Sequence, residues 1–161
     1  MDKPATNNRE GVPEFDSVEQ EVFLQLWRTY DRLKAIEEEL FGQFELSAQQ
    51  YNALRLLDVA HPAGMRTMDL GRSLVSRSPD TTRMLDRLGK RGLIERSRSA
   101  ANRRVVEVTI TKQGRALLGE MSQLLLDMNE RQLGHLSSRQ LAELARLLKL
   151  ARKPHEDQLD G

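Results

Sequence analysis

Arg77, Ser78, Pro79, Asp80, Thr82, Arg83 and Arg87 stand close together in the chain, and Arg98, Asn102, Arg103 and Arg104 follow shortly after. Planar guanidinium forks interleaved with hydroxyl and amide groups suit anionic oxygens and the flat edges of heterocycles. The charge is local. Arg66 to Arg104 holds 11 Lys and Arg against 4 Asp and Glu, a net +7. Residues 1–65 carry 6 basic and 12 acidic groups, and residues 105–161 carry 8 of each. A chain of net +1 therefore gathers its positive charge in 39 consecutive residues. The field at a surface follows local rather than total charge, so a polyanion is the expected partner.

Those side chains need elements to hold them, and the helix starts are well marked. Ser17 with Gln20, Ser47 with Gln50, and Ser137 with Gln140 fit the reciprocal capping pattern, in which a hydroxyl and a Gln each satisfy one orphan amide. Thr67 and Thr111 are candidate single caps, and Ser78-Pro79 reads as a cap followed by proline at the first helical position. The caps divide the chain into six helices: about Val18 to Phe41, Ala48 to Val59, Met68 to Leu74, Pro79 to Lys90, Lys112 to Leu133 and Arg139 to Arg152. Gly92 is a natural C-terminal stop for the fourth. Leu93 to Arg96 and Val105 to Ile110 are β-branched or alternating, with the basic stretch Ser97 to Arg104 between them. They predict a two-stranded hairpin with a positive tip, packed on the helices because an isolated hairpin is marginal.

Two short helices joined by a tight turn, then a basic hairpin, is the order of a winged helix-turn-helix. In the fourth helix Thr81, Met84, Leu85 and Leu88 form one inward stripe at i, i+3, i+4 and i+7. Asp80, Thr82, Arg83, Asp86, Arg87 and Lys90 are left on the other side. A helix of this kind enters the major groove of duplex DNA, where Arg pairs with guanine and Thr meets a thymine methyl. Arg83 and Thr82 are the candidates for base edges, and Arg77, Ser78 and Arg87 for phosphates. Asp80 has three candidate roles: capping the helix, orienting an Arg, or accepting from cytosine. Arg98, Arg103 and Arg104 at the wing tip suit the adjacent minor groove. Arg66 to Arg104 contains no Phe, Trp or Tyr, which favours duplex over single strands, since single-strand binding uses stacking platforms. The alternative is a winged-helix protein-interaction module whose basic surface meets an acidic partner.

Other chemistries find little support. The chain has no Cys, which removes disulfides, thiolate metal sites and thiol nucleophiles together and fits a cytoplasmic location. No apolar run approaches the roughly 20 residues that span a bilayer. His61, His135 and His155 are scattered without metal-ligand spacing, and neither a nucleophile elbow nor a phosphate-cradling glycine loop occurs. Neither an enzyme, nor a metal, nor a cofactor is expected.

Four segments together resemble the MarR family of bacterial transcription regulators: Met68 to Leu74, Ser78 to Leu88, Arg91 to Arg96, and Arg103 to Gly114. The resemblance covers roughly residues 18–152. It departs from the family at Asn102, where an acidic residue often braces the second wing arginine, here Arg104, and at Thr81, where an aliphatic residue is usual. The resemblance implies a homodimer built from the N-terminal helix and the two C-terminal helices. The wide apolar stripes there support this independently, with Phe23, Trp27, Tyr30 and Phe41 on the first helix and Leu141, Leu144, Leu147 and Leu148 on the last. A two-fold dimer would read a near-palindromic site with half-sites about 34 Å apart. The resemblance also implies a repressor released by a small phenolic or lipophilic ligand. Trp27, Tyr30, Met65 and Met68 are the candidates for lining its crevice, with ordinary core packing as the alternative for the same four.

The expected architecture is mainly α with a small β-hairpin wing: a winged helix-turn-helix domain flanked by N- and C-terminal dimerisation helices. The expected divisions are a disordered arm over 1–16, an N-terminal dimerisation helix over 17–46, the DNA-binding domain over 47–111, C-terminal dimerisation helices over 112–153 and a flexible tail over 154–161.

Overall fold

The computed structural model describes residues 15–75, 80–98 and 105–156. Its elements are α1 (Val18–Gln43), α2 (Ala48–Val59), β1 (Met65–Arg66), α3 (Thr67–Ser73), α4 (Thr81–Lys90), β2 (Ile94–Arg98), β3 (Val106–Ile110), α5 (Lys112–Leu133) and α6 (Ser138–Glu156). The architecture is mainly α with a small β wing, as the sequence predicts. Two compact units divide the chain, Met1–Ala35 and Ile36–Gly161, with the boundary inside α1.

In the N-terminal unit, Ser17 Oγ accepts from the Gln20 amide at 3.1 Å, while Gln20 Oε1 accepts from Asp16 N rather than from Ser17 N. One arm of the expected box is thus displaced by a residue. Val18, Val22, Phe23, Leu26, Trp27 and Tyr30 all stand exposed here, and the Phe23 and Trp27 rings lie 6.2 Å apart at 60°.

The second unit owns the core. Leu54 and Leu57 of α2, Leu70 of α3, Leu85 and Leu88 of α4, Val108 of β3 and Met121 of α5 are fully enclosed. Phe41 closes one side and stacks on Tyr51, centroids 4.9 Å apart. At Ser47 both arms of the capping box are present, Gln50 N to Ser47 Oγ at 3.2 Å and Ser47 N to Gln50 Oε1 at 2.9 Å. The Ser137–Gln140 box is also complete, at 2.9 and 3.3 Å.

The sheet has the order β1-β3-β2, antiparallel throughout. The expected hairpin therefore gains a third strand. Its two residues pair as Met65↔Val108 and Arg66↔Glu107, which gives β3 a neighbour on its open edge. Ile94 pairs with Ile110 and Arg96 with Val108, so the buried positions of the two longer strands share a face.

Where α4 ends, Gly92 adopts φ +69. Its amide bonds Gly89 O at 2.9 Å and the Leu93 amide bonds Leu88 O at 3.1 Å, the paired bonds of a Schellman stop. The start of α5 is spliced onto the same turn. Thr111 Oγ1 donates to Gly92 O at 2.7 Å and accepts from Gly114 N at 3.0 Å, and Thr111 N bonds Leu93 O at 3.1 Å. Gly114 packs so closely on the Leu93 carbonyl that no side chain fits there.

Several expected ends differ. Thr67 does not cap α3: the N-cap position is Arg66, with no side-chain cap, because the Thr67 hydroxyl instead donates to Val106 O at 3.3 Å. For α4 the N-cap is Asp80 and the helix starts at Thr81, two residues later than expected, because the Asp80 carboxylate accepts from the Arg83 amide. Ser78 and Pro79 lie outside the described residues. At the C-terminus α6 runs through Pro154 to Glu156, and its last turn carries the Arg152–Glu156 ion pair at 2.7 Å. The rest of the expected tail, and all but the last two residues of the expected arm, also fall outside.

Candidate nucleic-acid interface

The apolar stripe of α4 faces inward, with Leu85 and Leu88 fully buried and Met84 nearly so. Thr81 is half-buried, and a Cβ added to Gly71 of α3 would touch its methyl at 3.8 Å, an ordinary packing distance between the two helices. Thr82, Arg83, Asp86, Arg87 and Lys90 are exposed. The burial of one face leaves the other polar and mostly basic.

Asp80 binds Arg83 twice. Its Oδ1 accepts from the Arg83 amide at 3.0 Å, and its Oδ2 lies 2.8 Å from Arg83 Nε. Of the three roles open to Asp80, the cap and the contact with an Arg are both present. Arg87 and Lys90 lie in the last turn of α4, where positive charge complements the helix dipole.

Two arginines outside the expected set hold α4 in place. Arg96 of β2 donates from Nη1 to Asp86 Oδ1 at 2.8 Å and from Nη2 to Thr82 O at 3.0 Å, tying the wing to the outer side of the helix. Arg91, the C-cap of α4, donates to Glu45 O at 2.7 Å and Phe44 O at 2.9 Å, reaching the corner between α1 and α2. Glu45 has φ 53, a left-handed turn that presents both carbonyls. No local spacing marks either arginine, since their partners lie 10 to 47 residues away.

Arg98 is exposed at the end of β2. It stands two residues beyond Arg96, so it belongs to the strand face that meets α4. Arg77, Ser78, Pro79, Asn102, Arg103 and Arg104 lie outside the described residues. The four candidates for a ligand crevice are not equivalent. Trp27 and Tyr30 are exposed in the N-terminal unit, Met68 is exposed on α3, and Met65 is half-buried. Met65 lines an open recess of about 300 Å³ together with Ala63, Gly64, Arg66, Asp69 and Glu107. Among the described residues no group of three His, Cys, Asp or Glu could hold a metal ion, and no helix is long and apolar enough to cross a membrane.

The MarR family model matches residues 46–106, from the corner before α2 to the first residue of β3. The crystal structure of a MarR transcription factor from Planctomyces limnophilus is 55% identical over 85% of this chain and 99% of that one, with a TM-score of 0.67. The chain belongs to the MarR family. It is a DNA-binding transcription regulator of that family, and its fold recurs in more distant members. Bordetella bronchiseptica BpsR, whose DNA binding is regulated by 6-hydroxynicotinic acid, is 25% identical over 86% of this chain and 97% of that one, with a TM-score of 0.76. A mutant of E. coli MarR complexed with operator DNA is 24% identical over 84% and 99%, with a TM-score of 0.74. A search of curated proteins finds no match. Membership in a family of DNA-binding regulators favours duplex DNA over an acidic protein as the partner of the basic face.

Proposed function

We propose that this MarR-family protein is a homodimeric repressor that reads a near-palindromic duplex site through α4 and the wing and is released by a small ligand. The observation that carries the reading is the outer face of α4. Thr82, Arg83 and Arg87 are exposed there, the opposite face is locked in the core, and Arg96 ties the helix to the strand bearing Arg98. In this reading Arg83 and Thr82 meet base edges, and Arg87 meets phosphate. Arg77 and Ser78 also bind phosphate, and Arg98, Asn102, Arg103 and Arg104 meet the minor groove.

Dimerisation is supported by apolar residues left in contact with solvent in each unit taken by itself. Trp27 is 61% exposed in the N-terminal unit, and Leu147 of α6 is 46% exposed in the second. Small-molecule release is supported by BpsR, and a ring carrying a carboxylate and a hydroxyl, like the effector of that relative, is the first class to try. Within the second unit, Met65 is the proposed lining, at the edge of the recess it shares with Arg66 and Asp69.

Selection of bound fragments from a random duplex library tests the reading. A two-fold motif with half-sites one helical turn apart is expected. Equal recovery of all sequences, or a motif without two-fold symmetry, would refute it. Arg83→Ala should cost about 1–3 kcal/mol on the selected site and little on random duplex.

A further inference from the structure

The geometry points to Asp80 as a specificity-determining positioning residue: it holds the Arg83 guanidinium by its Nε edge, so that the Nη1–Nη2 edge is presented to one guanine. The inference rests on the reading of Arg83 as a base reader given above and adds what aims it.

The two oxygens of one carboxylate engage two ends of one residue. Oδ1 accepts from the Arg83 backbone amide, fixing where its side chain begins, and Oδ2 forms an ion pair with the guanidinium, 2.8 Å from Nε, drawing the far end of the side chain to the same carboxylate. A guanidinium has five N–H donors, one on Nε and four on the two Nη atoms. A carboxylate oxygen beside Nε covers the side-on edge and leaves the end-on pair, whose two parallel N–H groups match guanine O6 and N7. The Arg83 side chain is 73% exposed, so that edge is accessible from outside.

Magnitudes separate aiming from stabilising. An ion pair this exposed adds little to folding. Its effect falls on binding, because a long side chain already ordered in the free protein loses less freedom on contact. The carboxylate also discriminates between placements of Arg83. With Arg83 beside it, the carboxylate charge is offset, and an Arg83 swung toward a phosphate would give up that pairing.

The cap and the aim can be separated by substitution. Asp80→Ser keeps an N-cap oxygen but is too short to reach Nε, and Asp80→Asn keeps both length and cap while losing the charge. Anisotropy titrations of the full chain would compare the selected duplex with duplexes changed at each base pair in turn. Wild type should lose roughly 5- to 100-fold at the pair read by Arg83. Both Asp80 variants should melt near wild type yet reduce that ratio by about three- to tenfold, the cost of ordering one long side chain. In the Arg83→Ala background neither should change it further. An unchanged ratio in both variants overturns the inference, as does an equal effect with Arg83 removed, which would mean that Asp80 acts through the cap or reads the base itself. If Arg83→Ala leaves discrimination intact at every pair, the base-reading role of Arg83 fails instead, and this inference falls with it.

Discussion

A methyl group at Gly114 would strike the Leu93 carbonyl and come within 2.8 Å of Ile110 Cγ1. Backbone cannot step aside as the end of a flexible side chain can. Gly114→Ala is therefore expected to cost about 2–3 kcal/mol, read as a lower urea midpoint at unchanged slope. Gly119, further along α5, has nothing within 4 Å of an added Cβ, and there the same change should stabilise by up to about 1 kcal/mol through helix propensity. Glu37 behaves differently again. Burial, with Glu38 beside it, raises its carboxyl above the ordinary carboxylate value. The folded state then holds the proton more tightly than the unfolded chain, so the group favours folding at acid pH and loses that contribution as pH rises through its raised value. Glu37→Gln should stabilise at pH 7 by less than about 1 kcal/mol, since the site is only partly covered, and should have almost no effect near pH 4. Paired denaturation curves at the two pH values check the sign.

Among the elements, α2 and α4 are limited by their ends. Ser47→Ala removes one arm of a complete capping box and should cost about 1 kcal/mol in thermal or urea unfolding. Arg96→Ala frees α4 from the wing. The pair with Asp86 is partly exposed, so stability should fall by no more than about 1 kcal/mol, while affinity for the selected duplex falls by more than stability accounts for. Parallel melting and binding curves would show the split. Element ends also mark where sequence reading succeeds and stops. Ser47 with Gln50, and Thr111 before Lys112, carry their signals within three residues, so those helix starts were legible in the chain. The stripe of Met84, Leu85 and Leu88 is equally local. The choice of Asp80 over Ser78 as cap is not, because both types cap well and only the fold selects between them. β1 has two residues and no alternation to read, and it exists because Val108 and Glu107 supply its partners from across the chain. Arg91 and Arg96 escaped for the same reason.

For the whole molecule, the uneven distribution of charge makes salt a diagnostic variable. Log affinity for duplex DNA should fall linearly with log salt, by about 0.9 per phosphate neutralised, and Arg87→Ala should lower the slope by about one if that side chain meets a phosphate. Assembly is tested separately. Leu147→Glu places a charge among exposed leucines of α6, and in sedimentation it should shift the protein toward monomers while leaving the fold intact. Loss of paired half-site binding should then weaken affinity by at least about a hundredfold.

The splice at Thr111 has a mechanical consequence. A rod of 22 residues, about 33 Å long, is bonded at its base to the very turn that ends α4. There is no slack linker at that joint to absorb motion. A sideways nudge of 2 Å at the far tip would swing the base by about 3°, and α4 would be carried with it. α5 is thus a handle as well as a prop, and a force applied at its tip arrives at α4 as a change of angle.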